Sequence, residues 1–261
     1  MAVDFEGPLL DFYEQTKHIR QIIVAIESAA KGAPGLITLR AGIDLASINV
    51  KNINTVNAMA LVLLASSFEE CVREELGQCA DHLSTRYAHL ADGVRHSVRG
   101  SYWNACVDRL RFSSTILTKN KPKVPDAKAI AGLKGLLDSA RGFVIADDAT
   151  LFDRKVFLHH SNNFRPSVVD EIASRIGIKG LLDDVAESGK LKAYFGVTSK
   201  KEVIALLRPK LNEFYDLRNE IVHSLNSSAG YAVDVVVNYI ELFEAVADSI
   251  KTVLSRTALK W

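Results

Sequence analysis

The sequence predicts an all-α fold, and three observations carry that prediction. Apolar residues recur at three-to-four spacing along most of the chain, the period of one helix face. The alternation expected of half-buried strands is sparse. Toward the C-terminus two segments each hold a single apolar stripe, with turn-forming residues between them. With 261 residues, 48% of them hydrophobic, the chain can bury a sizeable core. A single domain over 1–261 is expected, with an internal joint near 119–126.

The elements follow in order. From Leu9 to Ala30, Phe12, Ile19, Ile22, Ile23 and Ile26 mark a first helix, stopped by Gly32, Pro34 and Gly35. Leu36-Ile37-Thr38-Leu39 reads as a short extended piece. Thr55 suits the N-cap of a long second helix running through Phe68 and Leu76 toward Leu90, with Gly77 a break point. Gly93 to Gly100 reads as a joint and Ser101 to Thr118 as the next helix. Lys119-Asn120-Lys121-Pro122-Lys123-Val124-Pro125 is polar, basic and twice interrupted by proline, and reads as a linker.

A helix is expected from Ala127 to Arg141, then an irregular stretch from Phe152 to Pro166. Short helices follow near Val168 to Ile176 and Lys200 to Leu207. Pro209 either opens a helix or kinks one continuing from Lys200. Leu211, Phe214, Leu217, Ile221 and Leu225 line that helix, and Asn226-Ser227-Ser228-Ala229-Gly230 supplies a turn. Val233, Val236, Val237, Ile240, Phe243, Ala247, Ile250 and Leu254 then face one way on the final helix. The last two helices are expected to pack as an antiparallel pair.

Charge narrows the function classes. The net charge of +1 excludes a polyelectrolyte tail binder and, with the apolar fraction, intrinsic disorder. The charge is uneven, however. Thr85 to Lys123 holds eight basic and two acidic residues, net +6, so the rest of the chain sums to −5. Arg95, Arg99, Arg109 and Arg111 lie in that stretch, which also holds Tyr87, Tyr102, Trp103 and Phe112, the composition of an RNA-binding surface or of surface cations around core aromatics.

Cys71, Cys79 and Cys106 form no C-x-x-C pair and are odd in number, which suits a reducing cytoplasm rather than a disulfide framework. The acidic N-terminus does not resemble a signal peptide, and the apolar run Ala58 to Ala65 is too short to span a bilayer. A soluble cytoplasmic protein is expected.

One helix carries the chemistry. Asp216, Asn219, Glu220 and His223 fall at i, i+3, i+4 and i+7 and line one face, while Arg218 borders the apolar stripe. A half-buried Arg beside Asn and His is costly unless paired or used. The string Arg218-Asn219-Glu220-Ile221-Val222-His223 resembles the R-N-x-x-x-H signature of the HEPN superfamily, which sits near the end of a helix followed by a turn and one last amphipathic helix. The chain is similar to the prokaryotic toxin and defence branch also in Ala58 to Glu70, a helix of small and apolar residues leading to acids. Asn162-Asn163-Phe164-Arg165-Pro166 leading into Ile176-Gly177-Ile178 extends that similarity. Another Arg-to-His spacing, Arg154 to His159, has Lys where the signature has Asn and reads as structural.

The resemblance implies a HEPN-like helical bundle with a C-terminal antiparallel pair and additional short helices. It implies a metal-independent endoribonuclease acting on RNA as a homodimer, with a composite site and an antitoxin partner, in a toxin–antitoxin or phage-defence system. Arg218 and His223 are the catalytic residues it implies, with Asn219 in support. No cofactor and no metal are implied. The residue types suit the reaction, in which the RNA 2′-hydroxyl loses a proton, the 5′-oxygen gains one and the phosphorane needs cationic support. Residues five apart diverge by about 140° on an ideal helix. Arg218 and His223 therefore meet only if the helix end unwinds or a second copy contributes.

Two other readings stay open: a non-catalytic helical binding or scaffold module, and a nucleotidyltransferase-associated, antitoxin-type partner. Metal chemistry is disfavoured. His82, His89 and His96 recur every seven residues, not at the three or four that ligand pairs on a helix need, and suit a shared helix face. His159-His160 has no carboxylate or Cys at ligand spacing.

Overall fold

The computed structural model describes residues 5–31, 50–111, 127–160, 163–223 and 231–261. Ten α-helices follow one another and no strand occurs among the described residues. They are α1 (Glu6–Ala30), α2 (Val50–Arg86), α3 (Asp92–Arg111), α4 (Ala127–Ser139), α5 (Arg154–Phe157) and α6 (Pro166–Arg175). Then come α7 (Leu181–Val185), α8 (Gly189–Phe195), α9 (Lys200–His223) and α10 (Val233–Ala258). The expected all-α class is what the chain adopts. Leu36 to Leu39, Phe112 to Thr118, Lys119 to Pro125 with the joint near 119–126, and the turn Asn226 to Gly230 lie outside the described residues.

Contacts divide the chain into two compact units. One, here the motif unit, comprises Glu6–Val72 and Val185–Lys251; the other, here the basic unit, comprises Met1–Phe5, Arg73–Asp184 and Thr252–Trp261.

The motif unit is built on α1, the first part of α2, α9 and most of α10. Leu9, Phe12, Ile19 and Ile23 face inward from α1, and Leu61, Leu64 and Phe68 from α2. Leu207, Leu211, Phe214 and Tyr215 do so from α9, and Val236, Ile240, Phe243 and Val246 from α10. Aromatic rings join all four helices. Phe12 meets Phe68 at 6.1 Å, Phe68 meets Phe243 at 4.6 Å and Phe243 meets Phe214 at 4.4 Å between centroids. At the margin Glu244 accepts from both ends of the Arg20 fork at 2.8 and 3.0 Å and from the Thr16 hydroxyl at 2.5 Å. That bidentate pair ties α1 to α10.

The basic unit packs Val98, Tyr102, Ala105 and Cys106 of α3 against Ala140 and Phe143. Those two belong to a π-helical turn, Ala140–Ile145, that continues α4. Tyr102 meets Phe143 at 4.8 Å and Phe157 at 5.1 Å. Its hydroxyl shares a hydrogen bond with Ser139 and accepts from the Asp153 amide.

Several sequence expectations are corrected. Thr55 does not cap α2, which already begins at Val50; its hydroxyl back-bonds to the Lys51 carbonyl at 2.9 Å. Gly77 does not break α2. It is buried, and a Cβ there would lie 3.2 Å from Arg154 Nη1 and from Leu158 Cδ1, so glycine here permits close approach. Gly93 to Gly100 is not a joint, because α3 runs through both glycines with Asp92 in its first turn. The irregular stretch from Phe152 contains α5. Of the two roles expected for Pro209, the structure bears out a helix continuing from Lys200: Pro209 lies inside α9, on its exposed side, where water can satisfy the carbonyl that loses its partner. His82, His89 and His96 do not share a helix face, since α2 ends at Arg86 and a 3₁₀ turn separates it from α3.

Among the described residues one helical segment, Val50–His89, is by length and composition apolar enough to cross a membrane; its 18-residue window has mean hydropathy 1.3 and is 44% buried. Its inner stripe carries the polar residues Asn57 and Glu75, both enclosed.

Phe243→Ala is expected to lower the unfolding free energy by about 3–5 kcal/mol, because its ring bridges α2 and α9 and leaves a cavity. Urea denaturation measures this, and a loss below about 1 kcal/mol would mean that the helices hold without it.

Candidate active site

The motif helix α9 starts from a reciprocal cap. Glu202 Oε2 accepts from the Ser199 amide at 3.1 Å and from its hydroxyl at 2.6 Å, and the Glu202 amide donates back to Ser199 Oγ at 3.2 Å. The hydroxyl bond first, then the amide bond, holds the Glu202 carboxyl below its ordinary range. Near the middle, Tyr239 of α10 donates to Glu213 at 3.0 Å while Lys210 sits 4.9 Å from its ring centroid. Burial, then the bond to Glu213, pushes the Tyr239 hydroxyl up, so it remains a donor.

The apolar stripe of α9, through Val203, Leu207, Leu211, Phe214 and Tyr215, fixes the rotation of the helix. On a regular helix Arg218 then continues that buried face, whereas Asn219 lies about 100° and His223 about 140° away. The burial pattern agrees. Arg218 and Asn219 are half-buried, and Asp216, Glu220 and His223 are exposed. The helix is unbroken through His223, so the expected divergence of Arg218 and His223 holds within one chain. Asn219 bridges part of it: its Oδ1 accepts from Arg218 Nη1 at 3.2 Å, and it stands one turn before His223.

Enclosed polar atoms of this unit without a hydrogen-bond partner among the described residues include Arg218 Nε, Asn57 Oδ1 and the Tyr231 hydroxyl. Asn57 is 1% exposed on α2, and its amide nitrogen donates to the Tyr231 carbonyl at 2.6 Å, which places α2 against the chain entering α10. Burial first and the Glu220 charge second push the Tyr231 hydroxyl up. Buried groups are normally paired, so unpaired ones call for an explanation outside the fold itself. Two of these atoms donate and one accepts, a set that a phosphodiester with its neighbouring hydroxyls can satisfy. Neither Asn57 nor Tyr231 was singled out from sequence. The available signal was an Asn at a core position of α2, four residues before Leu61.

The residues expected to bind RNA lie in the basic unit. Arg99 pairs with Asp147 at 3.3 Å and Arg95 with Asp147 at 3.9 Å, and Arg95 also pairs with Asp92. Arg109 is half-buried, and the side chain of Arg111 is outside the described set. Among the interleaved aromatics Tyr87 and Tyr102 are core, at 3% and 0% exposure, and Trp103 is exposed. Arg154 of the second Arg-to-His string pairs with Glu74 and Asp81, a structural role. The three cysteines are buried and free, and no metal-binding cluster occurs among the described residues.

If Arg218 is not held for the fold, Arg218→Met keeps the apolar stem and removes the enclosed Nε. The unfolding free energy is then expected to stay level or rise by up to about 1 kcal/mol in urea titrations. A loss above about 2 kcal/mol would make the guanidinium structural.

A family model described as RiboL-PSP-HEPN matches residues 36–256, a span that runs through both units. No curated protein and no solved structure matches the chain.

Proposed function

This chain belongs to the RiboL-PSP-HEPN family, and on that premise we propose that it is a metal-independent endoribonuclease. At the family level the membership carries a nuclease-like or RNA-related function; cleavage by this chain is our reading. The observation that carries it is the enclosed, unpaired Arg218 Nε on the buried face of α9, next to Asn219 and one turn from His223.

In the proposed reaction the RNA 2′-oxygen attacks its own phosphorus, one proton leaves the 2′-hydroxyl and another reaches the departing 5′-oxygen. His223 moves a proton, Arg218 supports the phosphorane charge, and Asn219 orients the pair. Because Arg218 and His223 diverge on one helix, a second copy completes the site, and the protein acts as a homodimer. The exposure of Met59, Leu63, Val222 and Val235 in the motif unit supports an apolar surface for that copy. The arginines Arg95, Arg99, Arg109 and Arg111 are assigned to RNA binding. Buried free thiols suit a cytoplasmic setting. Likeness to the prokaryotic defence branch makes the protein the toxin or effector of a toxin–antitoxin or phage-defence system, restrained by an antitoxin partner.

His223→Ala and Arg218→Ala should each slow RNA cleavage by roughly 10²–10³-fold with unchanged circular dichroism, and EDTA should leave the wild-type rate intact. Wild-type cleavage by the His223 variant would end the catalytic claim. Undiminished growth arrest on expression of Arg218→Ala would end the toxin reading. Mixing the two variants should restore cleavage that neither has alone; without rescue, the site lies within one chain.

A further inference from the structure

The basic unit holds a pocket of about 400 Å³ between α3 and the π-helical turn, lined by His96, Arg99, Gly100, Trp103, Val144 and Ile145. We propose that this pocket binds a nucleotide, and specifically a base of single-stranded RNA with its phosphate. The choice of RNA over a free nucleotide rests on the ribonuclease reading above; the pocket itself does not.

The wall is held by unusual backbone. Residues 140–145 form a π-turn, a rare widening of the helix that recurs at functional sites. Two residues on, Asp147 has φ 58°, the sole non-glycine residue with positive φ among those described. Side chains of the basic unit hold it there. The Tyr87 hydroxyl donates to its carboxylate at 2.6 Å, and Arg99 and Arg95 pair with it at 3.3 and 3.9 Å. Phe143 is fully buried, so the backbone is anchored on both sides of Ile145, by Phe143 and by Asp147, while Ile145 is left 72% exposed. An exposed Ile beside pinned, strained backbone gains the fold nothing.

The opposite wall is one face of α3, where His96, Arg99, Gly100 and Trp103 fall at i, i+3, i+4 and i+7. Trp103 is 48% exposed while its neighbour Tyr102 is fully buried. Gly100 sits inside the helix, where glycine is unfavourable, yet a Cβ there would meet no atom within 4 Å. The packing does not require that glycine, and its absence of a side chain leaves the helix backbone open to a flat ligand.

The chemistry selects the ligand. An exposed indole facing Val144 and Ile145 offers stacking and apolar contact to a planar ring, and stacking on Trp tolerates any base. Arg99 and His96 supply cationic or donor groups at the edge of the same space. The pair with Asp147 uses only part of the five guanidinium donors of Arg99. Arg95, also held by Asp92, does not line the pocket, so Arg99 is the arginine that faces it. A lipid chain or an apolar peptide makes no use of the remaining Arg99 and His96 donors, whereas a nucleotide engages both the apolar and the polar side of the pocket.

The sequence has two tryptophans, so Trp261→Phe leaves Trp103 as the reporter indole. That protein is titrated with a 2′-O-methyl single-stranded octanucleotide, which cannot be cleaved through its 2′-oxygen, and separately with AMP and UMP. Saturable quenching by the octanucleotide is expected. Gly100→Leu should fill the pocket and weaken binding at least tenfold while thermal unfolding stays level or moves upward. Arg99→Ala should weaken binding several-fold and flatten its salt dependence. Adding His223→Ala should leave the quenching unchanged, which separates this site from the cleavage claim. Quenching by mononucleotides alone would overturn the RNA assignment. Quenching by neither, or quenching that Gly100→Leu does not alter, would overturn the pocket.

Discussion

The ring of Phe243 is the contact on which the motif unit turns. It lies 4.6 Å from Phe68 of α2 and 4.4 Å from Phe214 of α9, and all three rings are sealed from solvent. Tilted aromatic contacts at these distances favour particular orientations as well as burying area. They therefore fix the rotation of α9 about its own axis. Once Phe214 points inward, helical geometry sends Arg218, four residues on, toward the same side and His223 away from it. The chemistry of the motif is thus set by a packing contact that none of its residues makes.

The polar groups around that core divide by how well they are satisfied. Glu244 holds Thr16 and Arg20 in a complete set of charge-assisted bonds, and Glu213 receives Lys210 and Tyr239. Such groups stabilise because their desolvation is repaid by good geometry. Arg218 Nε, Asn57 Oδ1 and the Tyr231 hydroxyl are enclosed without that return. Unsatisfied enclosed groups in the unit that carries the motif fit a surface arranged for a ligand at some expense to stability. The basic unit follows the same logic with backbone instead of side chains, through a π-turn, a positive φ at Asp147 and a glycine the packing leaves open.

Periodicity was legible where it was long. α1, α9 and α10 were recognisable from their apolar spacing, because many contacts along one face leave a redundant pattern. Single punctuating residues were not. Gly77 and Gly100 look alike in the chain, yet one lets Arg154 and Leu158 approach and the other faces open space. Glycine removes a side chain without saying whether a turn, a neighbour or a ligand needs the room. The seven-residue histidine spacing misled for a related reason: a helix face exists only while the helix lasts, and α2 stops at Arg86.

What the sequence by itself determined is the helical class and the string from Arg218 to His223, including the angle that parts its two ends. Both follow from local rules, the period of apolar residues and the pitch of one helix. Tertiary structure alone decided which end of that string turns inward, which polar atoms beside it are left unpaired, and that Asn57 and Tyr231 meet across 174 positions of chain. It also decided that Trp103 is exposed while Tyr102 is core. Burial and pairing depend on what packs from elsewhere in the chain, and no local pattern encodes the identity of that neighbour.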